Sequence, residues 1–528
     1  MKLNRSAVLI SSLLASAATA GPIVINDSSR IAPAETFGDD GRDFGEVFDI
    51  SNGVIAAALP QSFTPPNPSN HAGEVLLIDA DSGLALQRLI PQQSAPSVSV
   101  LHVAFDGDTV AVIKGNGSAE TRRLFVFDAT TGAQRFEIYP DAEDQFPGLY
   151  GRAVAVGDGV VAVGHPQYEV VSVDPQEALD KVELYDAVTG ASLGELESNI
   201  PDIAEYFGNE ICIHNGRIAV SAFQGPFGAN GSAERVVVFD LATQQELFAI
   251  NPPPGVTDDA NFGESVAMND DFIVVAATLD DPNGPNSGSV FVFDAANGAH
   301  LHTLDIGATP NLNVLERDLS IQVDINDTGT IVVSMMGGTT RGASVHDALT
   351  GVRTATLVPN PVPGGSDANQ QFGFSSAIDE ESIYVSDPGL LINDDRVESI
   401  FRFDPPILIA QQPQDLVVDV PNQDFFMQVV ASNAASYQWY FDGQPISDGP
   451  MYIGSDTSVL VITSGPEVEG QYKVEINSAG FGSVFSDPAY YVYRGDVAPA
   501  CQPDLNNDGD LDFFDVSMFI QIYTAGCP

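Results

Sequence analysis

Between residues 37 and 404 the chain alternates short apolar runs with tight polar turns, and the pattern repeats. Five of the seven copies open on an aromatic-glycine pair. They are Phe44-Gly45, Tyr150-Gly151, Phe207-Gly208, Phe262-Gly263 and Phe372-Gly373. A short strand, a turn and a strand rich in Val, Ile and Ala follow, as in Val160-Val161-Ala162-Val163 and Phe272-Ile273-Val274-Val275. Two copies lack the aromatic-glycine pair but keep the paired strands, Val98–Val103 with Val110–Val112 and Ile321–Ile325 with Ile331–Val333. The turns Ser51-Asn52-Gly53, Asp158-Gly159 and Asn215-Gly216 supply the positive φ that tight hairpins need. A third strand then ends in Asp, followed in most copies by a Thr-Gly turn and a fourth strand. The aspartates are Asp79, Asp128, Asp186, Asp240, Asp294, Asp347 and Asp404, spaced 49, 58, 54, 54, 53 and 57 residues apart.

A lone four-stranded sheet leaves its faces wet. Seven such sheets packed around an axis bury those faces and leave only short edges. The pattern therefore predicts an all-β fold whose first domain, residues 21–404, is a seven-bladed β-propeller. The seventh copy stops at Asp404-Pro405-Pro406 without a fourth strand. Residues 21–36 hold the apolar stretch Ile23-Val24-Ile25, which is expected to complete that blade and close the ring.

These phrases resemble FG-GAP repeats, the blades of integrin α-chain propellers and of many bacterial surface proteins. In that family several blades carry a D-x-D-x-D-G calcium loop. No such loop occurs between residues 37 and 404, so the family's calcium-dependent ligand face does not transfer. Asp106-Gly107-Asp108 and Asp270-Asp271 are read as hairpin turns. The D-x-x-T-G phrase is also similar to quinoprotein propeller repeats. Those place a Trp shortly after the Gly, where this chain has Phe136, Leu193 and Leu301.

Residues 405–495 read as a second β domain, with strands at Phe425–Val430, Ser436–Tyr440, Val459–Ile462 and Tyr472–Ile476 punctuated by glycines. Trp439 and the Glu469-Gly470-Gln471-Tyr472 stretch resemble the core Trp and tyrosine corner of immunoglobulin-like domains. Apolar Val474, with Met427 or Val429, stands where that family has its inter-sheet cysteines. The resemblance implies a spacer or adhesion module.

Both ends change the picture. Met1–Arg5 is basic, Ala7–Leu14 is apolar and Ala18-Thr19-Ala20 has the small-residue form of a cleavage site, so residues 1–20 read as a secretory signal peptide cut after Ala20. Residues 1–20 hold Lys2 and Arg5 and no acid. Their removal leaves 18 basic against 72 acidic residues, a formal charge of −54. Such a field excludes nucleic acid and anionic lipid as partners. No later segment has the 18 consecutive apolar residues of a membrane span. The three cysteines are Cys212, Cys501 and Cys527. Cys212 reads as a small buried hydrophobe in a strand, and an exported chain can pair Cys501 with Cys527.

The last segment, residues 496–528, carries the clearest chemistry. Against a calcium loop, Asp504, Asn506 and Asp508 take positions 1, 3 and 5, and Gly509 takes the sharp turn at 6. Asp510 offers its carbonyl at 7, Asp512 stands at 9 and Asp515 closes at 12. A helix follows in which Val516, Phe519, Ile520 and Tyr523 share a face. Asp at position 12 in place of Glu makes the segment resemble dockerin repeats, particularly the short type ending in Gly-Cys. That resemblance implies a calcium-dependent anchor or dock for a cell-surface component or a cohesin-like protein. A full dockerin has two loops, and only one is present.

No H-x-x-x-H, H-E-x-x-H or G-x-S-x-G motif occurs, and the seven histidines are scattered. The sequence therefore predicts an exported binding or scaffold protein. The propeller is its interaction platform for a protein or polysaccharide ligand, and calcium is its cofactor. The rival is an extracellular polysaccharide-processing enzyme or quinoprotein using propeller loops.

Overall fold

The computed structural model describes residues 23–31, 44–59, 73–91, 99–115, 122–140, 150–166, 180–197, 206–222, 234–257, 260–307, 320–336, 342–361, 365–366, 371–380, 382–392, 395–396, 398–404, 407–418, 420–432, 434, 436–478 and 482–493. Residues 1–20, expected to be a signal peptide, and Cys501, Cys527 and Asp504–Asp515, expected to form the calcium module, lie outside the described residues. The chain divides into two compact units, residues 1–404 and 405–528.

In the first unit, seven sheets of four or more strands follow one another along the sequence among the described residues. Their first strands are Phe48–Ser51, Ser99–Asp106, Val154–Gly157, Ile211–His214, Phe262–Met268, Ser320–Ile325 and Ser376–Ile378. The N-terminal strands aside, each sheet is antiparallel and its strands lie side by side in chain order. The hairpins form as the turn residues dictate: Asn52 and Gly53 have φ of 51° and 69°, Asp158 and Gly159 of 52° and 76°. The fold is a β-propeller. Seven apolar clusters fill the spaces between successive sheets, from Leu77 with Phe125 between the first and second to Val345 with Phe403 between the sixth and seventh. The remaining cluster returns from the seventh to the first, joining Ile31, Tyr384 and Ile400 to Phe44, Phe48 and Leu76. Second strands are apolar on both faces because both faces are covered; Thr109–Gly115 is buried throughout.

The ring is closed by the N-terminal segment, with a register different from the sequence expectation. Ile23–Asn26 does not complete the seventh sheet. It pairs in parallel with Arg353–Val358 as a fifth strand on the sixth. Ser29–Ile31 is the fourth strand of the seventh sheet, antiparallel to Ser399–Phe403. Apolar content pointed to Ile23–Ile25, but the seat in the seventh sheet needs only one buried side chain, Ile31, 3% exposed.

The recurring Asp is explained by its own turn. Asp186 Oδ1 accepts from the Thr189 amide and from its hydroxyl, both at 2.7 Å. Asp128 with Thr131, Asp240 with Thr243, and Asp347 with Thr350 repeat this. The following glycine is fixed twice over. Gly190 has φ of +71°, and a Cβ there would lie 2.8 Å from the Phe136 ring of the preceding sheet. Phe248 lies in the same way over Gly298, and His302 over Gly351. The Thr-Gly turn is therefore the seat on which the outer strand of the previous sheet docks.

In the second unit two sheets close on one core. One contains Ser436–Phe441, Gly470–Ser478, Gly482–Phe485 and Ala489–Tyr493; the other contains Asp424–Gln428, Tyr452–Ile453 and Val459–Thr463. Trp439 is fully buried, and its indole N–H donates to the Thr457 carbonyl at 2.8 Å. Tyr472 donates its hydroxyl to the Val468 carbonyl at 2.7 Å. Met427 and Val474 are both buried in this core.

Candidate functional site

The first strands of the seven sheets bury one face between sheets and turn alternate residues toward the axis. Phe48 and Ile50 are buried while Asp49 keeps part of its surface open; Val323 and Ile325 flank Asp324 in the same way. Axial residues from non-adjacent sheets sense each other's charge, Asp49 with Asp324 and Cys212 with Asp324. They therefore belong to one axial cluster that draws on several sheets at once.

Asp49 accepts from the Ile50 amide at 2.8 Å and, through its second oxygen, from Phe105 in the next sheet at 2.7 Å. Asp324 does the same with Ile325 at 2.8 Å and Ile378 at 2.9 Å. Each carboxyl thus ties its own strand to the next sheet. Burial among the axial strands raises Asp49 to about 6 and Asp324 to about 7, against the lowering effect of those amides. Burial also raises Glu210 to about 8, although the charge of Arg152 opposes this. Glu264 is raised by burial as well. His102 is pushed down to about 3 by burial and then by Arg152 and Arg122. Arg152 is the exposed cation of this group; its Nε donates to Asn209 Oδ1 at 3.0 Å.

At the other end of the first strands, the hairpin turns form a hydrogen-bonded belt. Ser51 Oγ accepts from the Gly107 amide at 3.0 Å, and Asp158 accepts from Gly216 at 2.7 Å. His214 Nε2 lies 3.0 Å from Asp270 Oδ1 and 3.9 Å from Asp327 Oδ1. Asn269 donates to the Asn326 carbonyl at 2.8 Å, and Asn326 donates to that of Asp379 at 3.1 Å. Asp106-Gly107-Asp108 and Asp270-Asp271 occupy this belt as turns. Among the described residues no group of three or more His, Cys, Asp or Glu is disposed to hold a metal ion.

The other singled-out residues are dispersed. Cys212 is a free thiol on an axial strand and only half-buried, not fully buried as its strand setting suggested; burial pushes its thiol up. His300 contacts Thr303 and His302 contacts the Leu349 carbonyl, so the pair shares no target. Arg152, Glu210, Glu264, Asp49 and Asp324 were not singled out from the sequence. An acid inside an apolar first strand, as in Phe48-Asp49-Ile50, was the available signal.

Residues 252–293 match the FG-GAP repeat family; they cover the first three strands of the fifth sheet. No curated protein matches the chain. Among solved structures, the β-propeller domain of the Trilobed protease from Pyrococcus furiosus is 11% identical. It aligns with 68% of this chain and 92% of that one at a TM-score of 0.42. The Pyrococcus horikoshii acylaminoacyl peptidase is 9% identical at a TM-score of 0.40, over 72% of this chain. This chain spans little more than half of that peptidase, 57%. The titin M3 domain is 23% identical at a TM-score of 0.15, over 16% of this chain and 95% of its own.

Proposed function

We propose that the chain is an exported, non-catalytic binding or scaffold protein built on a seven-bladed propeller. In this reading the propeller is the interaction platform and residues 405–495 form an immunoglobulin-like spacer. Residues 496–528 are a dockerin-like module that engages a cell-surface component or a cohesin-like protein when calcium fills Asp504, Asn506, Asp508, Asp510, Asp512 and Asp515. The observation that supports it is how the described acids are used. The repeat aspartates cap their own turns, and Asp49 and Asp324 join neighbouring sheets with both oxygens. These groups hold a platform together, leaving ligand contact to its surface. The acids of the 504–515 loop, by contrast, have the spacing of a calcium shell.

The test is calorimetric calcium titration of the mature chain against its Asp504→Ala/Asp508→Ala variant. One saturable site lost in the variant is expected. No binding up to on the order of 10 mM, beyond the weakest extracellular calcium modules, would remove the calcium-dependent tail from the proposal.

A further inference from the structure

The second unit carries a groove on the outer face of its larger sheet. It has a volume of about 240 Å³ and is lined by Tyr440, Gly443, Gln471, Lys473 and Phe485. The sheet register builds it. Trp439, Tyr472 and Val474 turn inward to the core, so their neighbours Tyr440, Gln471 and Lys473 turn outward. Lys473 lies opposite Tyr440, and Phe485 opposite Glu475. The Tyr440 and Phe485 rings meet edge to face with centroids 5.4 Å apart and form the corner of the groove. Phe485 is 49% exposed, a large apolar surface with no covering element in its own sheet.

The polar groups around this corner are unusual for the unit. Lys473 is the only Lys or Arg between residues 405 and 493, against ten Asp and Glu. Lys114 is buried and Lys181 is ion-paired, whereas Lys473 has no ion-pair partner among the described residues. Glu475 accepts from the Tyr440 hydroxyl at 2.6 Å and also from the Ser483 side chain, so its carboxylate is engaged within the sheet and braces Tyr440. Gln471 donates to the Tyr490 hydroxyl at 2.9 Å and retains its amide oxygen.

We infer that this groove binds a neutral oligosaccharide. A sugar ring has an apolar C–H face and a rim of hydroxyls that both donate and accept. The groove offers aromatic rings for the face. For the rim it offers an ammonium with three donors and an amide oxygen. Lys473 and Glu475 cancel in charge, and the surrounding unit repels polyanions. The volume lies below the ~300–1,000 Å³ of enclosed small-molecule sites, which suits a polymer crossing the sheet one ring at a time.

The test is native electrophoresis of the full mature chain through gels containing hydroxyethylcellulose, mixed-linkage glucan, xylan or galactomannan, with polygalacturonate and alginate gels alongside. Retardation is expected in at least one neutral gel. Phe485→Ala should weaken it at least about tenfold, as truncating a central aromatic contact does, and Gln471→Ala should weaken it too. Phe426→Ala, which removes a ring 64% exposed on the opposite sheet, should leave it unchanged. Unaltered Trp439 emission certifies that each variant is folded. The inference is overturned by passage unretarded through every neutral gel, by retardation in the anionic gels only, or by equal retardation of the parent and Phe485→Ala.

Discussion

Replacing Gly190 by alanine should destabilise the propeller more than replacing Gly159, although both lie in the third sheet with nearly the same backbone, φ of +71° and +76°. An alanine at either position costs ~1–2 kcal/mol for the left-handed conformation, partly offset by ~0.4–1 kcal/mol of lost unfolded-state entropy. At Gly159 nothing lies within 4 Å of the new Cβ, so about 1 kcal/mol is the whole effect. At Gly190 the Cβ would lie 2.8, 2.9 and 3.1 Å from three carbons of the Phe136 ring, which comes from the preceding sheet. Such overpacking adds ~1–3 kcal/mol. Urea unfolding followed by far-ultraviolet circular dichroism reads the difference. The single tryptophan, Trp439, reports the second unit alone and serves as an internal reference. Phe136→Ala removes the obstacle, so in a double-mutant cycle Gly190→Ala should cost no more in that background than Gly159→Ala does. Equal losses for the two glycines in the parent background would refute the docking role of the Thr-Gly turn.

Three further outcomes follow from the geometry. Asp49 and Asp324 have folded pKa values near 6 and 7, above the ordinary 3.8, so the folded state holds more protons through that range. Their contribution is present below pH 4 and fades as pH rises toward 7; the propeller's melting temperature should drop over that window, and Asp324→Asn should flatten the drop. Deleting residues 21–31 removes Ile31 from its apolar cluster and should lower the calorimetric melting temperature of the propeller by several degrees; an unchanged value would mean that Ser29–Ile31 closes nothing of consequence. Cys212 should resist a thiol reagent at pH 8 in the folded chain and react on unfolding; if Cys501 and Cys527 are bridged, urea without reductant should release one thiol per chain, and reductant all three.

The repeating strands and their turns were legible because each is set locally. Alternation fixes which face of Phe48–Ser51 is buried, and Asn52-Gly53 fixes the hairpin whatever surrounds it. The closing strand was misplaced by a few residues because sheet edges select for free amides more than for apolar side chains. Ser29-Arg30-Ile31 pairs with Ser399–Phe403 as well as a Val-rich run would. The axial acids were not legible for a different reason. Phe48-Asp49-Ile50 has the pattern of any strand with one wet face, and only the tertiary arrangement of the sheets brings Asp49 within reach of the charge of Asp324. The same holds for the groove of the second unit, where Lys473 and Phe485 meet through strand register and not through sequence proximity.

The closing contact also governs how the molecule comes into being. Ser29–Ile31 pairs with Ser399–Phe403, so the first strand of the ring waits for nearly the last. Until that seam forms, the set that joins Ile31, Phe44 and Phe48 to Tyr384 and Ile400 is split into two open apolar walls at opposite ends of an arc. Such an arc can zip onto itself or onto a second arc through the same complementary walls. The yield of closed monomer on refolding is therefore expected to fall as chain concentration rises.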